Sequence, residues 1–213
     1  MTAAMAANGD LELLEPIAEG GVGVVYRGRL GATPVAVKIV RDELSGSEPV
    51  RELMRTEAAV LRALAHPGIV SLIELRDDGD PILVLEWLPG CALHEVGNPR
   101  LPVGRALRII DQLLAALACV HDRGFVHGDV KPSNMIVDPA RGDRVTLIDF
   151  GLAAAVGVAP DRGPAGTVGF AAPEVFAGAP PRASADVYSA GVVLLSLLGG
   201  PVSPGVGSAA PTT

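Results

Sequence analysis

At Pro89 and Gly90 the apolar pattern of this chain changes its period, and that change limits the folds open to it more than any other feature. Before it, from Leu11 to Lys38, short apolar runs at Val22 to Tyr26 and Val35 to Val40 alternate with Gly-rich turns such as Gly28 to Pro34, the pattern of antiparallel hairpins. One helix is expected from Glu48 to Ala65, with Leu53, Val60, Leu61 and Leu64 on one face and His66, Pro67 and Gly68 as its stop. Strands at Ile69 to Leu75 and Ile82 to Leu88 then flank an acidic turn, Asp77 to Asp80. Beyond Gly90 the spacing lengthens. Val103 to His121 carries Leu107, Ile110, Leu114, Leu117 and His121 at intervals of three or four, which predicts a long amphipathic helix. Short strands at Met135 to Val137 and Val145 to Ile148 follow, then a loop rich in Gly and Pro from Gly151 to Pro173 and a last helix from Ser184 to Leu198.

The expected fold class is therefore α+β in two lobes. An antiparallel β-rich N-lobe with one helix covers residues 11–88, and a mainly helical C-lobe covers 89–198. Residues 1–10 read as a disordered leader and 199–213, dominated by Gly, Pro, Ser and Thr, as a disordered tail. A length of 213 residues suits one large domain or two closely joined lobes.

Composition narrows the partners. With one Trp, two Tyr and four Phe the core must be built from Ala, Val, Leu and Ile, which argues against stacking platforms for single-stranded nucleic acid. The net charge is −7 and no two Lys or Arg are adjacent, so the electrostatic footprint of a phosphate-backbone binder is missing and no nucleic-acid partner is expected. No basic residue precedes Arg27, so the start lacks the basic region of a signal peptide, and the longest strongly apolar stretch, Ala190 to Leu198, is too short to span a bilayer. Cys91 and Cys119 have no metal-ligand spacing and are too few for a disulfide framework. A cytoplasmic protein with no membrane partner is expected.

Three clusters carry chemistry. Gly20, Gly21 and Gly23 lie between two strands, where the missing Cβ lets backbone N–H groups approach phosphates, although an ordinary Gly-rich hairpin has the same pattern. Lys38 sits in the otherwise apolar strand Val35-Ala36-Val37-Lys38, where an unpaired ammonium would be costly, so it calls for an anionic partner; Glu57, in the helix that follows, is the candidate. The strongest cluster is His127-Gly128-Asp129-Val130-Lys131-Pro132-Ser133-Asn134 followed by Leu147-Ile148-Asp149-Phe150-Gly151. It puts a base, a cation and a neutral oxygen ligand on one loop and a second carboxylate twenty residues on. Asn and Asp oxygens suit Mg²⁺, and the whole set describes phosphoryl transfer from a nucleotide.

Together with Ala172-Pro173-Glu174, these motifs run in order from about Leu11 to Leu198, and the chain resembles the eukaryotic-like Ser/Thr protein kinases. The resemblance implies a two-lobed protein-kinase-like fold using ATP and Mg²⁺ to phosphorylate Ser/Thr hydroxyls of a protein substrate. It further implies that Gly20 and Gly23 cover the phosphates, and that Ile17, Val25 and Ala36 pack on adenine, with Ile136 also at the ATP site. Lys38 would hold the α- and β-phosphates and be held by Glu57. Leu85 would be the gatekeeper, and the backbone of Glu86 and Leu88 would bond adenine. Asp129 would accept or orient the substrate hydroxyl proton, Lys131 neutralise charge on the γ-phosphate, Thr167 line the hydroxyl site, and Asn134 and Asp149 hold Mg²⁺. Asp186 would brace the catalytic loop's backbone.

Three departures from the family pattern stand out. Ala18 replaces the first flap glycine. Gly128 replaces the arginine that captures a phosphorylated activation loop, and Thr167 is the only hydroxyl residue between Gly151 and Pro173, so activity independent of loop phosphorylation is expected. The family's helical lobe continues past the Asp186 helix, so the C-lobe is expected to be shortened after that helix. Val187, Val192, Val193, Leu194, Leu195, Leu197 and Leu198 would then lack part of their cover unless a partner chain or self-association supplies it, or the sequence is a piece of a longer one. Two alternatives stay open beside an active kinase. One is a nucleotide-binding pseudokinase or interaction module. The other is a small-molecule phosphotransferase, whose catalytic loop often reads His-Gly-Asp but against which Lys131-Pro132 and the segment Thr167 to Glu174 count.

Overall fold

The structure, a computed structural model, describes residues 10–96, 100–157, 166–180 and 182–202. Residues 1–9 of the expected leader, residues 203–213 of the expected tail and residues 158–165 of the Gly- and Pro-rich loop lie outside the described residues. The chain folds as two units, one running to Ala63 and resuming over Val70–Leu88, the other made of Leu64–Ile69 and the chain from Pro89 on.

The first unit is a five-stranded antiparallel sheet with one long helix. Strands β1 (Leu11–Glu19), β2 (Gly23–Leu30), β3 (Thr33–Val40), β4 (Leu72–Arg76) and β5 (Ile82–Glu86) lie in the order β1-β2-β3-β5-β4, and α1 (Glu48–Ala63) connects β3 to β4. The stretch expected as a turn from Gly28 to Pro34 is mostly strand: β2 and β3 pair down to Leu30 opposite Thr33, leaving Gly31 and Ala32 as the turn. Gly28 is inside the strand because a Cβ there would lie 2.7 Å from the Glu12 carbonyl oxygen, so strand pairing selects glycine by closeness rather than by turning. Side chains alternate across the sheet. Leu11, Val35, Val37, Ile82 and Val84 form one buried cluster, while the register puts Val25, Ala36, Lys38, Leu83 and Leu85 on the opposite face.

Helix α1 ends at Ala63 rather than Ala65. Its buried residues are Met54, Glu57, Ala58, Val60 and Leu61; Leu53, expected on that face, is only half-buried, and the unbranched Met54 takes the core position beside it.

The second unit is built on α2 (Val103–Asp122), against which α4 (Ala183–Leu197) packs. Short strands frame the loops: β6 (Cys91–Ala92), β8 (Met135–Asp138) and β9 (Arg144–Leu147) form one sheet in the order β6-β8-β9, and β7 (Phe125–Val126) pairs with β10 (Ala154–Ala155). Helix α3 is a single turn, Pro173–Phe176. The segment Leu64–Ile69 belongs here because Gly68 O accepts from Leu147 N–H (2.8 Å), Pro67 O accepts from Arg144 (3.0 Å), and Ile69 bridges Leu147 in parallel.

The buried face of α2 meets the expected one at Ile110 and Leu117 and departs from it at Leu107 and Leu114. Ala106, Ile109, Ile110, Leu113, Ala116, Leu117 and Val120 are buried, whereas Leu107 and Leu114 are 51% and 40% exposed. Two overlapping apolar stripes run along this helix, and the one containing Ala106 and Ala116 goes inward. On α4, Val193 and Leu197 are buried, Val192, Leu194 and Leu198 half-buried, and Val187 and Leu195 each 52% exposed. Among the described residues no helix is long and apolar enough to cross a membrane.

Candidate active site

The candidate residues fall into two sets, one in each unit. In the first unit, the turn between β1 and β2 is closed by Gly20 N–H donating to Gly23 O at 2.9 Å. Gly23 opens β2 opposite Val40, and a Cβ there would stand 2.6 Å from Ile39 O, so only glycine fits; Gly21 has open space around it. Ile17 is exposed near the end of β1, and Val25 and Ala36 are half-buried on the face they share with Lys38.

Lys38 meets the partner its apolar strand demands. Its Nζ donates to both carboxylate oxygens of Glu57, at 3.0 and 2.7 Å, and the two side chains are only 12% and 3% exposed. Each charge is buried at a cost that the other offsets through a two-pronged, charge-assisted contact. Leu85, opposite Ala36 in β5, is buried. The Glu86 N–H donates to Ser71 O (3.0 Å) and its carboxylate accepts from Ser71 N–H (2.8 Å), so a base meeting the Glu86 backbone would do so elsewhere than at that N–H. Leu88, two residues on, is half-buried.

In the second unit the loop between β7 and β8 gathers Asp129, Lys131 and Asn134 and draws in Thr167. The Thr167 hydroxyl donates to Asp129 Oδ1 at 2.6 Å and accepts from Lys131 Nζ at 2.8 Å. Lys131 Nζ also lies 2.7 Å from Asp129 Oδ2. Asn134 Nδ2 donates to Asp129 Oδ2 at 3.0 Å and to Asp129 O at 2.9 Å. The carboxylate is thus held by three side chains, with one oxygen facing a hydroxyl.

The backbone beneath is braced from α4. Asp186, buried, accepts from His127 N–H (2.8 Å) and Gly128 N–H (2.9 Å) through its two oxygens, and His121 Nε2 lies 2.8 Å from Oδ2. His127 continues the chain of contacts: its Nδ1 accepts from Asp129 N–H (3.2 Å), its Nε2 lies 3.2 Å from Ile148 O, and its ring meets that of buried Phe150 edge-on at 4.7 Å. Gly128 has φ 79°, and a Cβ added there would be 3.0 Å from Leu152 O. Gly128→Ala is expected to cost about 1–2 kcal/mol of stability, the left-handed penalty for an L side chain, measurable by urea unfolding.

Asp149 is exposed, with φ 62°, a conformation Asp tolerates better than most residues. The residue before it is tied to Asn134 by Ile148 N–H donating to Asn134 O at 2.9 Å. Ile136, half-buried in β8, pairs with Ala92 and Thr146. The residues that reading motifs alone overlooked are Met54 in the core and His121 as the third contact on Asp186. His121 sits at helical spacing from apolar residues and looks like part of that stripe.

The chain matches the protein kinase domain family over residues 11–205. It is 35% identical over 207 residues to the serine/threonine-protein kinase pkn2 of Myxococcus xanthus, covering 91% of this chain and 25% of that protein. The corresponding figures for the serine/threonine-protein kinase PknA of Mycobacterium tuberculosis are 36% over 200 residues, 87% and 46%. For the serine/threonine-protein kinase PrkC of Bacillus subtilis they are 32% over 201 residues, 91% and 31%. The chain spans from about a quarter to under half of the length of these relatives. With the ordered motifs, the Lys38–Glu57 pair and the Asp129 loop, this match makes the chain a member of the eukaryotic-like serine/threonine protein kinase family.

Proposed function

We propose that this chain transfers the γ-phosphate of ATP to Ser/Thr hydroxyls of protein substrates. The observation that carries the reading is the hydroxyl of Thr167 seated between the Asp129 carboxylate and the Lys131 ammonium, at 2.6 and 2.8 Å. An aliphatic hydroxyl fits beside this base and this cation, and a substrate Ser or Thr brings the same group. As the substrate oxygen bonds to the γ-phosphorus, the bond from phosphorus to the β,γ-bridging oxygen breaks and the hydroxyl proton passes to Asp129. Lys131 balances charge on the transferred group, and Lys38, fixed by Glu57, holds the α- and β-phosphates. Ile17, Gly20, Gly23, Val25, Ala36, Leu85, Glu86 and Leu88 in the first unit, and Ile136 in the second, are assigned contacts with the nucleotide.

The donor set fits Mg²⁺. Asn134 spends both amide N–H contacts on Asp129, which leaves its amide oxygen as an acceptor turned away from that residue, and Asp149 adds an exposed carboxylate. Two hard oxygens suit a cation that takes its other ligands from phosphates and water. When bound there, Mg²⁺ would offset the phosphate charge. The free thiols of Cys91 and Cys119 fit a reducing, ATP-supplied compartment such as the cytoplasm.

Incubating the protein with Mg-ATP and a generic protein substrate, beside Asp129→Asn, tests the reading. Phosphate on Ser or Thr from the wild type alone supports it, and nucleotide binding without transfer supports the binding-module alternative. Because Gly128 offers no guanidinium to a loop phosphate, turnover is expected to be the same before and after phosphatase treatment. A loop phosphate found by mass spectrometry whose removal slows turnover would sink that expectation.

A further inference from the structure

Helix α1 carries Glu57 and so sets the position of the Lys38 ammonium, yet its two halves are anchored differently. Burial begins only at Met54, and none of the six residues from Glu48 to Leu53 is buried. Polar contacts to the turn between β4 and β5 hold that first half instead. Asp80 accepts from Ser45 Oγ at 2.6 Å, from Gly46 N–H at 3.1 Å and from Arg51 Nε at 2.7 Å. Asp77 accepts from Arg55 Nε and Nη2 at 2.9 and 3.2 Å, while Arg55 Nη1 reaches Glu48 at 2.6 Å. Arg51 and Arg55 are one turn apart on the same helix face, so the two aspartates grip consecutive rungs. The Ser45 hydroxyl, Arg51 and the Gly46 N–H hold the Asp80 carboxyl down at about 2, so it is ionised throughout the neutral range.

A helix fixed by apolar packing at one end can still tilt about that end. Glu57 lies between the polar grip at Arg51 and Arg55 and the apolar anchor at Val60 and Leu61, so a tilt about that anchor moves its carboxylate relative to the strand that holds Lys38. We propose that Asp77 and Asp80 are positioning residues for phosphoryl transfer, acting through Arg55 and Arg51 to fix the tilt of α1 and thereby the Lys38–Glu57 pair. This rests on the kinase reading above. It assigns to the chain's own β4–β5 turn the task of holding α1 in its working position without a modification or a partner.

The test is a double-mutant cycle on the full chain. Asp77→Asn with Asp80→Asn is expected to lower kcat about tenfold, since small misplacements of a positioning group carry penalties up to a hundredfold, while KM for Mg-ATP changes less than threefold. In a Glu57→Gln background the same pair of changes is expected to cost less than threefold, because the ion pair they act through is already lost. Asp10→Asn removes the exposed Asp10–Arg76 ion pair at the end of β4, beside Asp77 but leaving the Arg51 and Arg55 contacts in place, and is expected to leave kcat unchanged. Thermal unfolding of each variant identifies any that has lost its fold, and for such a pair the single Asp80→Asn replaces it in the cycle. Equal losses in the wild-type and Glu57→Gln backgrounds, or none in either, overturn the positioning role and leave the kinase reading standing. A wild type that transfers no phosphate overturns both.

Discussion

Asp129→Asn is expected to lower phosphoryl transfer about 10²- to 10⁴-fold while leaving the protein folded and able to bind nucleotide. The hydrogen-bond pattern gives the reason. Oδ2 faces two donors, Lys131 Nζ at 2.7 Å and Asn134 Nδ2 at 3.0 Å, whereas Oδ1 faces the Thr167 hydroxyl at 2.6 Å. An asparagine must turn its one oxygen toward the two donors and present its NH₂ to the hydroxyl, which can accept. Every contact then survives in some form, but the atom that should take a proton has become a donor. Steady-state kinetics with KM for Mg-ATP within about threefold of wild type would match this account. Retention of more than a tenth of wild-type turnover would remove Asp129 from the proton's path.

Lys38→Met is expected to reduce turnover by about 10²- to 10³-fold, the cost of removing one preorganised charge from a transferring phosphate. It should also destabilise the fold, because it strips the ammonium from a Glu57 side chain that is only 3% exposed; breaking one side of such a pair costs about 3–5 kcal/mol. Glu57→Gln keeps an oxygen near Lys38 and is expected to cost clearly less stability. Urea unfolding of the two variants side by side reads this asymmetry. Equal losses would mean that the pair contributes little beyond packing.

Much of the candidate site is legible in the sequence because its chemistry depends on short spacings. Asp129, Lys131 and Asn134 share one loop, and Lys38 betrayed its need for Glu57 by standing in an apolar strand. What stayed hidden depends on distance in sequence. The turn Asp77 to Asp80 reads as a solvated acidic loop until α1 folds back and lays Arg51 and Arg55 against it, a pairing across some twenty to thirty residues that no local pattern announces. The face of α2 is legible only in part, for a different reason. Leu107 and Leu114 satisfy the helical period as well as the buried stripe does, and periodicity alone does not rank two stripes that share Ile110 and Leu117. The extent of the β2–β3 hairpin was hidden by Gly28, whose usual association with turns conceals a strand position where a Cβ would strike the Glu12 carbonyl.

The passage of the chain between its two units has a practical consequence. Because Leu64–Ile69 is bonded to Leu147 and Arg144, the backbone changes unit after Ala63, again after Ile69 and a third time after Leu88. No single scission can therefore separate the units cleanly. A cut after Leu88 leaves the first piece carrying a six-residue strip whose hydrogen-bond partners are on the other piece, and it leaves β9 with an uncovered edge. Split versions of this protein should be designed to reassociate through that strip rather than to work as independent halves.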